Sequence, residues 1–223
     1  RDGSIDRELF EMSSEHMILE GIPSLMGKKY AYALSNELTH EMLALFSDQS
    51  VLGYTEKTKD KYSTLFELLK NETMYEEDFR PWQLDVIKQL VKRGSILIEE
   101  AGTLKLVPLR VFILKDLYEH DVLCVHTFNR WQTEIDLWVQ SGDLAVESSL
   151  FSQPETDYLN YMLNKSQFSD GLDLRNKYAH STYSANENEQ KHDYIQLLKL
   201  MVLIITKMNE EFCYLADSKA VEL

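Results

Sequence analysis

With 223 residues, 44% of them apolar and 27% charged, the chain has the composition of an ordinary globular protein and enough apolar material for a buried core. Eight Gly and four Pro argue against a loop-rich all-β fold, and twelve Tyr with three Trp argue against disorder. A formal net charge of -14 repels polyanions at long range, so a nucleic-acid site has to be a local positive pocket or one built by oligomerisation. The same charge suits solubility, and it suits capture by a basic partner.

The chain opens at Arg1 rather than Met and carries no signal peptide, which reads as a cut from a longer protein. Residues 1–50 are expected to hold two or three helices. Tyr30, Ala33, Leu34, Leu38, Met42 and Leu45 keep a helical period after a break marked by Gly21, Pro23 and Gly27. A second helical pattern covers 55–70, with Tyr62, Leu65, Phe66 and Leu69 on one face. Pro81 suits the first turn of the next helix, and Gly94 suits its end. Two β-rich runs then flank Ala101-Gly102 as a hairpin, with Glu99 and Glu100 as solvated turn residues, and a further helix covers 109–118. The order helix, helix, hairpin, helix over 55–120 resembles a winged-helix unit. Its candidate recognition helix carries Lys88, Lys92 and Arg93, cations able to contact DNA phosphates. Nearby Asp85, Glu99 and Glu100 favour a packing or partner-binding role instead.

Residues 121–217 read as pure helix. Trp131, Ile135 and Trp138 share a face as packing residues, and Pro154 opens a helix through Tyr158, Leu159, Met162 and Leu163. A turn at 169–171 precedes a short helix that Asp170 is placed to cap. The last helix, from about 189 to 215, carries Ile195, Leu198, Met201, Val202, Ile205, Met208 and Phe212. That stripe is broad enough to predict a central packing element of a bundle. Cys124 and Cys213 have no metal or redox spacing and are expected as buried free thiols in a reducing compartment. The longest apolar run, 200–205, is far short of the roughly 20 residues a membrane span needs, so a cytoplasmic location without membrane contact is expected.

The segment with chemistry in it is Leu-Arg-Asn-Lys-Tyr-Ala-His at 174–180, between the Asp-Gly turn and the long C-terminal helix. An Arg followed by a polar residue, with a His after four intervening positions, resembles the signature of the HEPN superfamily. The wording of 171–180 looks like HEPN proteins of bacterial toxin and anti-phage systems. The resemblance covers about the last hundred residues. It departs at Ser181, where many relatives have Gly, and at Thr182, where some toxin members have a Tyr that here stands one step later as Tyr183.

The patterns above predict a mainly α protein with N-terminal helices over 1–54 and the winged-helix-like segment with its hairpin over 55–120, and the resemblance implies a HEPN bundle over 121–223. It implies a metal-independent endoribonuclease with no cofactor, a toxin or defence effector, acting as a homodimer whose two motifs face one cleft. An antitoxin or other regulatory partner would hold it in check. Arg175 and His180 would be catalytic, Asn176 would orient them, and Lys177 and Tyr183 would bind the RNA substrate. The residue types fit that chemistry. An imidazole that titrates near neutrality serves as base for a ribose 2′-hydroxyl. A guanidinium that never loses its proton grips phosphate oxygens and stabilises the extra charge of a phosphorane. In an ideal helix, however, residues five apart differ by about 140° and roughly 7.5 Å, so the pair converges only through reach, a bend or a second chain. Alternatives are a catalytically silent HEPN interaction module and a winged-helix DNA-binding regulator. The remaining histidines, His16, His40, His120, His126 and His192, form no zinc spacing, so no metal is expected, and each reads as a surface or satisfied side chain.

Overall fold

The computed structural model describes residues 22–165, 167–180 and 183–221, with side chains to 216. The helices expected before residue 22, His16, and the Ser181 and Thr182 departures lie outside the described residues. The fold is mostly helical with small sheets. The chain groups into two compact units, one of residues 30–146 and one that joins 147 onward to the segment ending at Lys29. These bounds are not the divisions at 54/55 and 120/121 read from the pattern of elements in the sequence. The physical reason lies in long-range pairings that tie the ends of the first unit together.

In that unit, β1 (Tyr30–Ala33) pairs antiparallel with β4 (Leu123–Cys124), with Tyr30 opposite Cys124 and Ala31 opposite Leu123. β5 (Leu144–Glu147) flanks β1 on its other side. The helical reading of 30–34 and the purely helical reading of 121–217 are therefore corrected. Tyr30 and Ala31 are buried against partner strands, and the helical period begins only at Ser35, whose side chain accepts from the Leu38 N–H and caps α1 (Asn36–Phe46). The helix expected over 55–70 is confined to α2 (Leu65–Asn71), capped by Thr64. Upstream, the Thr55 hydroxyl and carbonyl are taken by Thr58 and by the Lys59 N–H in a turn, so the period in 55–64 has no helix beneath it.

The helix bounded by Pro81 and Gly94, the hairpin and the helix after it stand where the sequence placed them. Pro81 opens α3 (Pro81–Arg93), and Gly94 ends it at φ 86°. The hairpin is β2 (Ile96–Ile98) with β3 (Leu104–Leu106), Ile96 opposite Leu106. α4 (Pro108–His120) follows, and Trp138 on α5 (Gln132–Gln140) is buried in the core. A buried carboxylate links these helices. Glu41 of α1 is 3% exposed and accepts from Arg93 Nε at 2.8 Å, Arg110 Nε at 2.7 Å, Arg110 Nη2 at 2.9 Å and the Ser95 hydroxyl. Arg93 also meets Asp143 at 3.0 Å. Burial would raise the Asp143 pKa, but bonds from Ser35, Arg93 and Ser141 outweigh it and hold the group below its ordinary value.

The second unit contains α6 (Gln153–Leu163), α7 (Leu174–Ala179) and the 35-residue α8 (Glu187–Val221). Ser152 and Glu155 form a reciprocal cap on α6, with Pro154 in its first turn. Leu159, Met162 and Leu163 of α6, Leu174 of α7 and Leu200 of α8 make a small buried cluster with Phe151. Lys29 is fully buried, with its ammonium 2.6 Å from Glu211 of α8 and 3.1 Å from the Leu150 carbonyl. Burial would raise the Glu211 pKa, but Lys29, the Ser24 hydroxyl and the Leu25 N–H hold it below the usual carboxylate range.

α8 departs from expectation in its packing. The stripe predicted as a bundle centre is exposed: Ile195, Leu198, Met201, Val202, Ile205, Met208 and Phe212 all face outward. The unit buries the opposite face, through Leu200 and Glu211, so the period was read correctly but assigned to the wrong surface. Cys213 on the same helix is exposed and Cys124 half-buried, both as free thiols, so neither is a buried thiol as expected. No helix among the described residues is long and apolar enough to cross a membrane.

Candidate functional site

The turn before α7 is set by close backbone packing. The Gly171 N–H bonds the Phe168 carbonyl at 3.0 Å, and the Leu172 N–H bonds the Tyr161 carbonyl of α6 at 2.9 Å. A Cβ on Gly171 would lie 2.8 Å from that Tyr161 oxygen, so only glycine passes here without a shift. Phe168 stands edge-on to Tyr161, with ring centroids 5.9 Å apart. The N-cap of α7 is Asp173 in the left-handed region (φ 54°), not Asp170 as the sequence suggested. Asp173 makes no side-chain bond to the helix amides; its carboxylate instead accepts from Asn176 Nδ2 at 2.7 Å.

On this six-residue helix only Leu174 is buried. Arg175, Asn176, Lys177 and Tyr178 are half-buried, and His180 is exposed. His180 is the C-cap, bonded through its N–H to the Asn176 carbonyl at 3.0 Å, with φ -107° and ψ 13°. The helical backbone thus ends between the two motif residues. Asp193 of α8 gathers the rest: Lys177 Nζ lies 3.6 Å from its carboxylate, and the Tyr178 hydroxyl donates to it at 3.2 Å. Tyr183 stacks on Tyr178, with centroids 5.4 Å apart and planes within 7°. Burial, followed by the nearby Asp193 charge and Tyr183, raises the Tyr178 pKa, so this phenol stays a protonated donor at neutral pH.

Beside this cluster lies a cavity of about 580 Å³ between α7 and the start of α8, lined by Leu172, Lys177, Ser184, Asn188, Glu189, His192 and Asp193. Its size is in the range of small-ligand pockets. Of the residues singled out from sequence, the cavity takes in Lys177, with Tyr183 stacked nearby. Arg175 and His180 are not among its lining residues. Asn176 is held by Asp173. His192, read from the sequence as a surface or satisfied side chain, lines the cavity, and so does Asp193, which sequence reasoning passed over. The only sequence signal for them was their place in the first turns of the long helix that follows the motif. Among the described residues, no group of three or more His, Cys, Asp or Glu is arranged to hold a metal ion.

In the first unit, a second cavity of about 530 Å³ lies between α1 and α3, lined by Glu37, His40, Val86, Gln89, Lys92 and Arg93 among others. Arg93, one of the three cations considered for DNA, is committed to Glu41 and Asp143 inside the unit. Lys88 and Lys92 remain exposed on α3.

Comparison of the chain with family models, with curated proteins and with solved structures finds no match.

Proposed function

We propose that the second unit is a HEPN-type ribonuclease domain that cleaves RNA without a metal ion, with Arg175 and His180 as the reacting pair. The observation that carries this reading is the setting of the motif. A short helix anchored by one buried leucine holds Arg175 in its first turn and an exposed imidazole at its end, beside a cavity edged by Lys177. In this reading His180 takes the proton of a ribose 2′-hydroxyl, and the freed oxygen attacks the adjacent phosphorus. Arg175 holds the phosphate oxygens as negative charge builds, and the 5′-oxygen departs with a proton from solvent. The products are a 2′,3′-cyclic phosphate and a 5′-hydroxyl. Lys177 and the Tyr178–Tyr183 stack offer a cation and aromatic faces to the flanking nucleotides. Asn176, bonded to Asp173, fixes the turn that sets the orientation of α7.

The 55–120 segment, with its order α2, α3, hairpin, α4, resembles a winged helix serving as a partner-binding module. The withdrawal of Arg93 into internal ion pairs weighs against duplex DNA as its ligand. A cytoplasmic toxin or defence effector restrained by a basic antitoxin fits the net charge of -14. The second reading, a silent interaction module, is favoured by the exposed apolar face of α8.

The test is end-group analysis of RNA incubated with the full chain in EDTA, alongside the same RNA carrying single 2′-deoxy substitutions. The reading expects cyclic-phosphate ends and no cleavage 3′ to a deoxy position. Cleavage at the deoxy position, or 5′-phosphate ends, overturns it.

A further inference from the structure

The cavity between α1 and α3, about 530 Å³ in volume, belongs to the first unit and has no place in the ribonuclease reading. Each helix lends it one face, from Glu37 to Ala44 on α1 and from Val86 to Arg93 on α3. The two ends of the cavity differ. Asp143 binds both Ser35, the cap of α1, and Arg93 in the last turn of α3, and Glu41 binds Arg93 as well. The start of α1 therefore meets the end of α3, and Glu37 and Lys92 stand at that charged end. Seven residues along each helix, or about 10 Å away, Ala44 and Val86 line an apolar end, with Leu90 between the two.

The charges at the first end fall into two sets. Glu41 and Arg93 are committed to each other, to Arg110 and to Asp143. Glu37 and Lys92 are exposed, one on each wall, and make no ion pair among the described residues, with each other or with any other group.

We propose that this cavity binds a free α-amino acid with an apolar side chain. The Glu37 carboxylate on one wall matches the ligand's ammonium, and the Lys92 ammonium on the other matches its carboxylate, both through charge-assisted hydrogen bonds. The ligand side chain then reaches over Leu90 towards Ala44 and Val86, where its apolar surface leaves water. The unpaired charges select a zwitterion, because they are opposite in sign and stand on facing helices. A simple anion would meet Glu37 and a simple cation would meet Lys92, each a like charge. A phosphate, with its two negative charges, would face Glu37 with only Lys92 uncommitted. The site lies wholly in the first unit, so it stands whether or not the second unit cleaves RNA.

Isothermal titration calorimetry of the full chain with L-leucine and L-phenylalanine tests the assignment. The controls are glycine, which lacks the side chain, phenethylamine, which lacks the carboxylate, and 3-phenylpropionate, which lacks the ammonium. Wild type is expected to bind the two apolar amino acids with a Kd on the order of 0.1 mM and each control at least about 10-fold more weakly. Lys92→Gln should weaken L-phenylalanine about 10-fold without weakening phenethylamine, and Glu37→Gln should weaken it likewise without weakening 3-phenylpropionate. Both substitutions sit at exposed helix positions that tolerate Gln, and unchanged urea midpoints verify the fold. Three results would overturn the site: no binding of either amino acid up to about 10 mM, a control bound as tightly as L-phenylalanine, or folded variants that bind like wild type.

Discussion

Replacing Glu41 with Gln keeps the shape of the side chain and removes its charge. Glu41 is 3% exposed and meets Arg93 at 2.8 Å and Arg110 at 2.7 and 2.9 Å, so two guanidiniums lose their shared counter-charge together. Removing one partner of a buried ion pair costs roughly 3–5 kcal/mol, because the remaining charge is left uncompensated. Two features soften the loss. Arg93 retains Asp143 at 3.0 Å, and Arg110 retains Glu134 at 4.0 Å and the face of Trp138 at 4.3 Å. The amide also keeps one acceptor oxygen, which brings the expected cost to about 2–3 kcal/mol. The assay is urea unfolding followed by tryptophan fluorescence. All three tryptophans, Trp82, Trp131 and Trp138, lie in the 30–146 unit, so the signal reports that unit alone. The midpoint should fall with the slope unchanged. A loss under about 0.5 kcal/mol, the range of ordinary surface substitutions, would refute the view that this carboxylate binds α1, α3 and α4 together.

Gly171→Ala places a methyl 2.8 Å from the Tyr161 carbonyl, so α7 must shift. RNA cleavage should fall at least about tenfold with Arg175 and His180 still present, and the unit should lose about 1–3 kcal/mol in hydrogen-exchange stability. Undiminished cleavage would mean that the turn does not position the pair. The Glu211 pKa is depressed in the folded state, so its contribution is full above the ordinary carboxylate range and is lost as pH falls through the folded value. Hydrogen exchange around Glu211 should therefore accelerate in wild type between neutral pH and pH 3, beyond the intrinsic rate change. Glu211→Gln should remove that part of the acid sensitivity, and equal sensitivity in both would contradict the assignment. In a homodimer whose two motifs face one cleft, as the resemblance implies, mixing inactive Arg175→Ala with inactive His180→Ala should restore a fraction of the cleavage, measured after subunit exchange. No recovery from a mixture shown to form heterodimers would place each pair within one chain.

Elements with strong punctuation were legible in the sequence. Pro81 and Gly94 bracket α3, Ala101-Gly102 turns the hairpin, and Pro154 stands in the first turn of α6. The strands β1, β4 and β5 were not, because runs of two to four residues carry too little alternation to compete with a helical period. Tyr30 and Ala33 fit both patterns, and pairing with a strand some ninety residues away decides between them. The apolar period of α8 was visible, but which of its faces the unit covers depends on where Leu159, Leu174 and Lys29 come to rest. Within the site, Arg175 and His180 could be named from the motif. Asp193 could not, because its role arises only when α8 passes beside Lys177 and Tyr178.

The central claim meets its most direct test in single-turnover cleavage of a structured RNA in EDTA by wild type, Arg175→Ala and His180→Ala, each first shown to be folded by circular dichroism. The account predicts cleavage by wild type and a loss of at least about 100-fold in each variant, the contribution of one general base or one charge-stabilising cation. Folded variants that cleave at the wild-type rate, or a folded wild type that cuts no RNA in any assembly state, would contradict it.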